Sequence, residues 1–271
     1  MMYQSFENPI TCFRRFNGTH QFGCSTPRSG NFGVVIILKS KSDLDWLLSK
    51  AVAGPYMVAL RPDMFNRFLF NIMTVLENNS NIISGILLLV DPNVQPESFS
   101  PDDTCPNRYS SGASGCMNNW NPYGNGFLLK DWPFPIFYVH NVDTIKSIED
   151  CNRINLPQDE TQLSRALCSI RMKSHMFGAV NSQTCIGRSE LINFNQFRYC
   201  DPLGDQNIFL SFGDVLTQSH KNTIVLAARL DAASLFESKA PGAMTAISGL
   251  VTLLTTAHIL YNMLYQKVYS K

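Results

Sequence analysis

Charge is scarce in this chain of 271 residues. Asp, Glu, Lys and Arg together make up 16% of it, against roughly a quarter in ordinary globular domains. Neither sign dominates: 22 Lys+Arg against 21 Asp+Glu leave a net charge of +1. Without a basic excess, a nucleic-acid binder driven by phosphate contacts is disfavoured. Little charge combined with 45% hydrophobic residues excludes a disordered chain, because such chains are highly charged and poor in apolar side chains. At roughly 150 residues per domain, the length admits one large domain or two small ones.

Short catalytic signatures are missing too. No H-E-x-x-H, Walker A, kinase set or dinucleotide-binding fingerprint occurs. Gly124-Asn125-Gly126 is a bare G-x-G in a loop, and Gly112-Ala113-Ser114-Gly115 is not a nucleophile elbow. The 5 histidines are scattered, and no two stand at i, i+4. His140, at a strand end near Asp143, reads either as a site edge or as a structural histidine. Met1 to Pro9 contains no basic region followed by an apolar one, so no secretory leader reads at the start.

What is present is cysteine. The 8 are Cys12, Cys24, Cys105, Cys116, Cys151, Cys168, Cys185 and Cys200. None forms a C-x-x-C, which removes the usual spacing of zinc ribbons, thioredoxin-like sites and iron–sulfur runs. Eight cysteines admit many pairings; locality favours Cys12–Cys24, Cys105–Cys116, Cys151–Cys168 and Cys185–Cys200. The alternative is a set of buried free thiols in a cytosolic enzyme. Two glycosylation sequons, at Asn17 (Asn17-Gly18-Thr19) and Asn78 (Asn78-Asn79-Ser80), add weight to an oxidising, secretory compartment. The missing leader then implies that the sequence is a fragment.

Along the chain, Gly33–Leu38, Tyr56–Leu60 and Ile82–Val90 are apolar runs of strand length. Between them, an S-x-x-D start at Ser42 with Leu44, Leu47 and Leu48 predicts a short helix. Phe65, Phe68, Leu69, Ile72, Met73 and Leu76 predict a longer amphipathic one. Alternating strand and helix is the pattern of an α/β layer with parallel strands. Residues 91–133 lose that pattern. They are a long loop, held by cysteines and by Trp120, Tyr123, Phe127 and Trp132. Phe134–His140 resumes as a strand, and Asp143 is placed to cap the next helix. After Cys200-Asp201-Pro202 a second unit begins, with a strand over Asn222–Leu230 and a long helix after Pro241-Gly242. Residues 243–260 are nearly uncharged, but their Thr, Ser and His content favours a helix buried against a sheet over a membrane span. One strand and one helix do not bury a core, so the second unit reads as cut short.

The residues Ala227-Ala228-Arg229-Leu230-Asp231, then Ala240-Pro241-Gly242-Ala243-Met244-Thr245-Ala246-Ile247-Ser248-Gly249, resemble a zinc-aminopeptidase half-site. In that superfamily a strand ends in His-x-Asp, and a G-A-x-D-x-A-S-G-like turn opens the next helix. Here Arg229 holds the histidine position. The bridging aspartate falls on Met244 or Thr245. A guanidinium stays protonated and cannot ligate zinc, and Asp231 alone does not make a dinuclear site.

An ordered set of motifs also resembles the nicastrin family. It comprises Asn17-Gly18-Thr19-His20-Gln21-Phe22-Gly23-Cys24, Trp120-Asn121-Pro122-Tyr123-Gly124-Asn125-Gly126, Phe134-Pro135-Ile136-Phe137, Ser174-His175-Met176, Cys200-Asp201-Pro202-Leu203, and Arg229-Leu230-Asp231 with Ala240-Pro241-Gly242-Ala243. The resemblance implies an α/β fold in two parts. Residues 1–200 would be a disulfide-stapled small lobe with a mainly parallel sheet and a lid loop over about 91–133. Residues 201–271 would be the truncated start of a zinc-aminopeptidase-like large lobe. It implies the same four local disulfides and no cofactor, metal site or peptidase activity. It further implies a glycosylated ectodomain subunit of the γ-secretase intramembrane protease complex. Such a subunit would work with presenilin and the other membrane subunits on the lumenal or extracellular side, admitting membrane-protein substrates with short ectodomain stubs. Trp120 and Phe236 would then meet as lid and lobe contacts, unless they are ordinary packing aromatics. The signal peptide, the acidic pocket region and the transmembrane helix of the family are absent from these 271 residues. Two other readings remain: a fragment of a secreted zinc aminopeptidase-like enzyme, and a free secreted binding module.

Overall fold

The computed structural model describes residues 10–16, 21–49, 51, 54–78, 81–94, 100, 102–105, 121–155, 168–174, 181–185, 200, 204, 206–211, 224–232, 234–236, 239 and 242–269. The chain divides into two compact units, Met1–Cys200 and Asp201–Lys271.

The first unit is built on apolar runs too short for helices. In chain order its elements are β1 (Ile10–Thr11), β2 (Arg14–Phe16), β3 (Gln21–Cys24), β4 (Asn31–Ile37), α1 (Lys41–Ser49), β5 (Tyr56–Leu60), α2 (Pro62–Asn78), β6 (Ile83–Leu89), β7 (Asp131–Trp132), β8 (Ile136–Val139), α3 (Val142–Asn155) and β9 (Ser169–Met172). A six-stranded sheet runs in the order β1-β8-β6-β5-β4-β9. Strands β4, β5, β6 and β8 are parallel. The edges β1 and β9 are antiparallel to their neighbours. The sheet is thus mainly parallel with antiparallel borders.

Register explains why these runs are apolar on both sides. Ile37, Ala59, Leu87 and Phe137 form one cross-strand row. Ala59, Leu87 and Phe137 join Val35, Met57, Leu89 and Val139 in a buried cluster that includes Ile148 of α3, with the partly buried Ile37 packed against it. Residues of opposite parity, such as Val58, Ile86 and Ile136, form the row on the other face. There β4→β5→β6 advance one strand at a time, so right-handed crossovers place α1 and α2 together. Trp46 of α1 meets the ring of Tyr56 edge-on at 5.9 Å. A sheet covered on both faces needs strands without alternation, and all five residues of β5 are buried. Asn152 of α3 is buried and donates to the Val35 carbonyl at 2.8 Å, which fixes α3 on its face.

A second, three-stranded sheet runs β2-β3-β7. Arg14 donates to Asp131 at 2.8 Å across it, with the arginine side chain only 6% exposed. Gly23 of β3 has φ 94°, and a Cβ there would run into the Phe13 carbonyl. Glycine is what allows the hairpin to close so tightly.

Three disulfides staple this architecture: Cys12–Cys24, Cys151–Cys168 and Cys185–Cys200. Cys105 is also disulfide-bonded. Cys116 lies outside the described residues, and no free cysteine is found among those described.

Two helix starts differ from the sequence expectation. The capping box of α1 is Ser40-x-x-Asp43, not the one beginning at Ser42. Asp43 Oδ2 accepts from the Lys39 and Ser40 amides at 2.9 Å each, and the Asp43 amide points back to Ser40 Oγ at 3.4 Å. Both serines fit the same S-x-x-D spacing, and only the chain's exit from β4 selects between them. For α3 the cap is Asn141 rather than Asp143: its Oδ1 accepts from the Asp143 and Thr144 amides at 2.9 and 3.1 Å.

Asp43 yields a pH prediction. Partial burial alone would raise its pKa, but the backbone amide of Lys39 and the hydrogen bonds from Ser40 outweigh it and hold the carboxyl below its ordinary value. A carboxylate with a lowered folded pKa stabilises above its unfolded pKa, and that stability is lost as pH falls through the folded value. Asp43→Asn is therefore expected to lower the thermal midpoint at neutral pH and to match the parent at acid pH. Thermal melts from pH 7 down to pH 2 check this; a pH-independent gap would remove the charge from the explanation.

The second unit contains a π-helical turn, Ala243–Ile247, and α4 (Ser248–Tyr269). The apolar run expected as a strand over 222–230 is not one: residues 224–230 lie in no β-ladder. A strand requires a neighbour to take its amides and carbonyls, and none is present among the described residues of this unit. For the same reason α4 is not buried against a sheet. Val251, Leu254 and Tyr261 stay 55%, 60% and 46% exposed. No described helix is long and apolar enough to cross a membrane.

Candidate functional site

In the second unit, residues 226–229 run beside the start of α4. A Cβ on Gly249 would touch Ala228 Cβ at 3.7 Å, and one on Gly242 would touch Ala232 Cβ at 3.5 Å, both ordinary contacts. The segment and helix enclose an open groove of about 520 Å³, lined by Leu226, Ala227, Ala228, Arg229 and a stripe including Ser248, Thr252 and Thr256. The hydroxyls on that stripe are already committed. Ser248 donates to the Met244 carbonyl at 2.5 Å, Thr252 to Ser248 at 2.9 Å and Thr256 to Thr252 at 2.8 Å. Such back-bonding to the preceding turn leaves only lone pairs facing the groove.

Arg229 is on the wall of this groove and is exposed. Asp231 is also exposed, and Met244 is 82% exposed. Thr245 is in the π-helical turn; its side chain is not described. No group of three or more His, Cys, Asp or Glu that could hold a metal is found among the described residues. Phe236 is 7% exposed, and its neighbour Leu235 4%. Its amide is held by Ser234 Oγ at 3.2 Å, and its carbonyl accepts from the Lys239 amide at 2.8 Å.

In the first unit, residues 100–103 are tied to residues 121–126. Asn121 Nδ2 donates to Ser100 Oγ at 2.7 Å and to the Asp103 carbonyl at 3.3 Å. The Asn125 and Gly126 amides donate to the Ser100 and Asp102 carbonyls at 3.1 and 3.0 Å. Gly126 stands in the left-handed region at φ 64°, which lets the chain turn back into a 3-10 helix at Phe127–Leu129. These bonds join residues of the Asn121–Gly126 turn to Ser100, Asp102 and Asp103, some 18 to 21 positions away for the Asn121 side chain. Tyr123 sits on this turn at 79% exposure. Behind it, Phe127 and Trp132 are buried against Phe65 of α2 at ring separations of 5.2 and 5.8 Å.

Of the loop expected over about 91–133, residues 106–120 lie outside the described residues, and Phe127–Leu129 and Asp131–Trp132 are a 3-10 helix and a strand. The collar formed by residues 100–103 and 121–126 is not legible in the sequence, because Asn121 and Ser100 are tied by side-chain geometry that no periodicity encodes. Trp120 and Asn17 lie outside the described residues. Asn78 is the last residue of α2, and its side chain is not described.

The collar has a measurable consequence. Asn121→Ala removes both side-chain bonds, each worth about 1 kcal/mol net. It is expected to speed cleavage of the loop several-fold in limited proteolysis while leaving the thermal midpoint within a few degrees. Unchanged cleavage would assign the collar to its backbone bonds alone.

The fold thus belongs to the α/β class: a disulfide-stapled unit on a mainly parallel sheet, with residues 100–103 tied to residues 121–126, followed by a second unit whose described part ends in a long helix. The nicastrin small-lobe family profile matches residues 11–178, and the nicastrin large-lobe profile matches residues 222–271. The chain belongs to the nicastrin family. It is 33% identical to mouse nicastrin over 278 aligned positions, covering 96% of this chain and 39% of that protein. Human nicastrin is 31% identical, with 96% and 38% covered. Arabidopsis thaliana nicastrin is 25% identical, with 94% and 36% covered. A solved structure, described as the crystal structure of the γ-secretase component nicastrin, superposes with a TM-score of 0.53 at 25% identity, over 69% of this chain and 31% of that one. The chain therefore spans well under half the length of these relatives.

Proposed function

We propose that this chain is part of a non-catalytic ectodomain subunit of a γ-secretase-type intramembrane protease complex, and that it helps to gate or recruit membrane-protein substrates. The matched lobes and the solved γ-secretase component support the complex. In this reading the subunit works on the lumenal or extracellular side, joined to presenilin and the other membrane subunits in a longer protein. Substrate ectodomain stubs are what it meets. The disulfides fit that oxidising compartment, and Asn17 and Asn78 are its glycan acceptors. The small lobe ends near Cys200, and the large lobe begins near Asp201. Trp120 and Phe236 are the aromatic residues that this reading assigns to the lid loop and to the large lobe.

The observation that carries the non-catalytic part is Arg229. In the half-site resemblance it stands where a zinc-binding histidine is expected, and a guanidinium is charged and has no lone pair to give; the same residue lines the groove beside α4. Asp231 is the one carboxylate of the half-site pattern that remains, and neither Met244 nor Thr245 replaces a bridging aspartate.

Zinc titration by calorimetry, together with hydrolysis of an aminoacyl p-nitroanilide, tests this reading. No stoichiometric zinc and no turnover above blank are expected. Tight one-to-one zinc with turnover would instead favour a metallopeptidase. Co-purification with presenilin from cells expressing the full-length protein tests the complex; loss of presenilin from a well-expressed protein would favour a free binding module.

A further inference from the structure

We draw no further inference here: the strongest candidate, the uncovered apolar surface of the second unit formed by α4 and residues 224–230, carries no proposal because nothing among the described residues shows what covers it.

Discussion

Replacing Trp132 by alanine is expected to lower the stability of the first unit by about 3–5 kcal/mol, the range for removing a fully buried large aromatic. Trp132 has 0% of its surface exposed. Its ring stands 5.8 Å from Phe65, 5.8 Å from Phe127 and 5.9 Å from Phe134. It therefore joins three parts of the chain: helix α2, the 3-10 turn after the loop collar, and the entry to β8. Ser25 Oγ also bonds its carbonyl at 3.0 Å, and Cys24 pairs with it across the β3–β7 ladder. The indole Nε1 has no hydrogen-bond partner among the described residues, so the loss is one of packing. Urea denaturation followed by far-ultraviolet circular dichroism measures it. Trp132→Phe fills most of the volume and should recover more than half of the loss. Equal losses for alanine and phenylalanine would mean that the cluster does not pack as described.

The strands of the main sheet are legible in the sequence because burial on both faces leaves a continuous apolar run. Tyr56–Leu60 is found with the same bounds as its run, and Gly33–Leu38 and Ile82–Val90 shift by one or two residues at their ends. Helix α2 is legible from its 3.6-residue period. The short strands β1 and β7 are not, because two residues carry no period and exist only through a partner's hydrogen bonds. The Arg14–Asp131 pair, separated by 117 positions, is hidden for the same reason. At 224–230 the opposite error occurs: the apolar pattern of a strand is present, but among the described residues of the second unit no neighbouring strand pairs with it. Local pattern reports what a segment is suited to, and long-range pairing decides what it becomes.

Candidate site residues divide along the same line. Arg229, Asp231 and Met244 can be picked out because a motif fixes their spacing, and the described structure puts Arg229 on a groove wall beside α4. Phe236 is picked out as a contact residue, while its burial comes from the turn at Ser234–Lys239. Asn121 could have been found only as part of the W-N-x-x-G-N-G motif. Its donor role depends on Ser100 and Asp103 folding back to meet it.

Removing the Cys12–Cys24 bridge by changing both cysteines to alanine is expected to destabilise the first unit by about 3 kcal/mol, the chain-entropy value for a loop of this size. The bonded residues are 12 positions apart. Their surroundings amplify the effect. Cys12 and Cys24 are 1% and 0% exposed. The Cys12 amide donates to the Ile136 carbonyl at 3.1 Å, and the Ile136 amide approaches Cys12 Sγ at 3.3 Å. Cys24 lies in the smaller sheet, paired with Trp132. The bridge thus fastens the edge of the large sheet to the small one, next to the aromatic cluster that anchors the loop. Two buried alanines would add a packing loss to the entropic one. Thermal melts of the double variant against the parent, both under non-reducing conditions, read the sum as a fall of more than about ten degrees. Non-reducing peptide mapping of the parent first checks the pairing, with Cys105–Cys116 as the fourth bridge expected. An intact melt without Cys12–Cys24 would show that the two sheets are held together by their side chains alone.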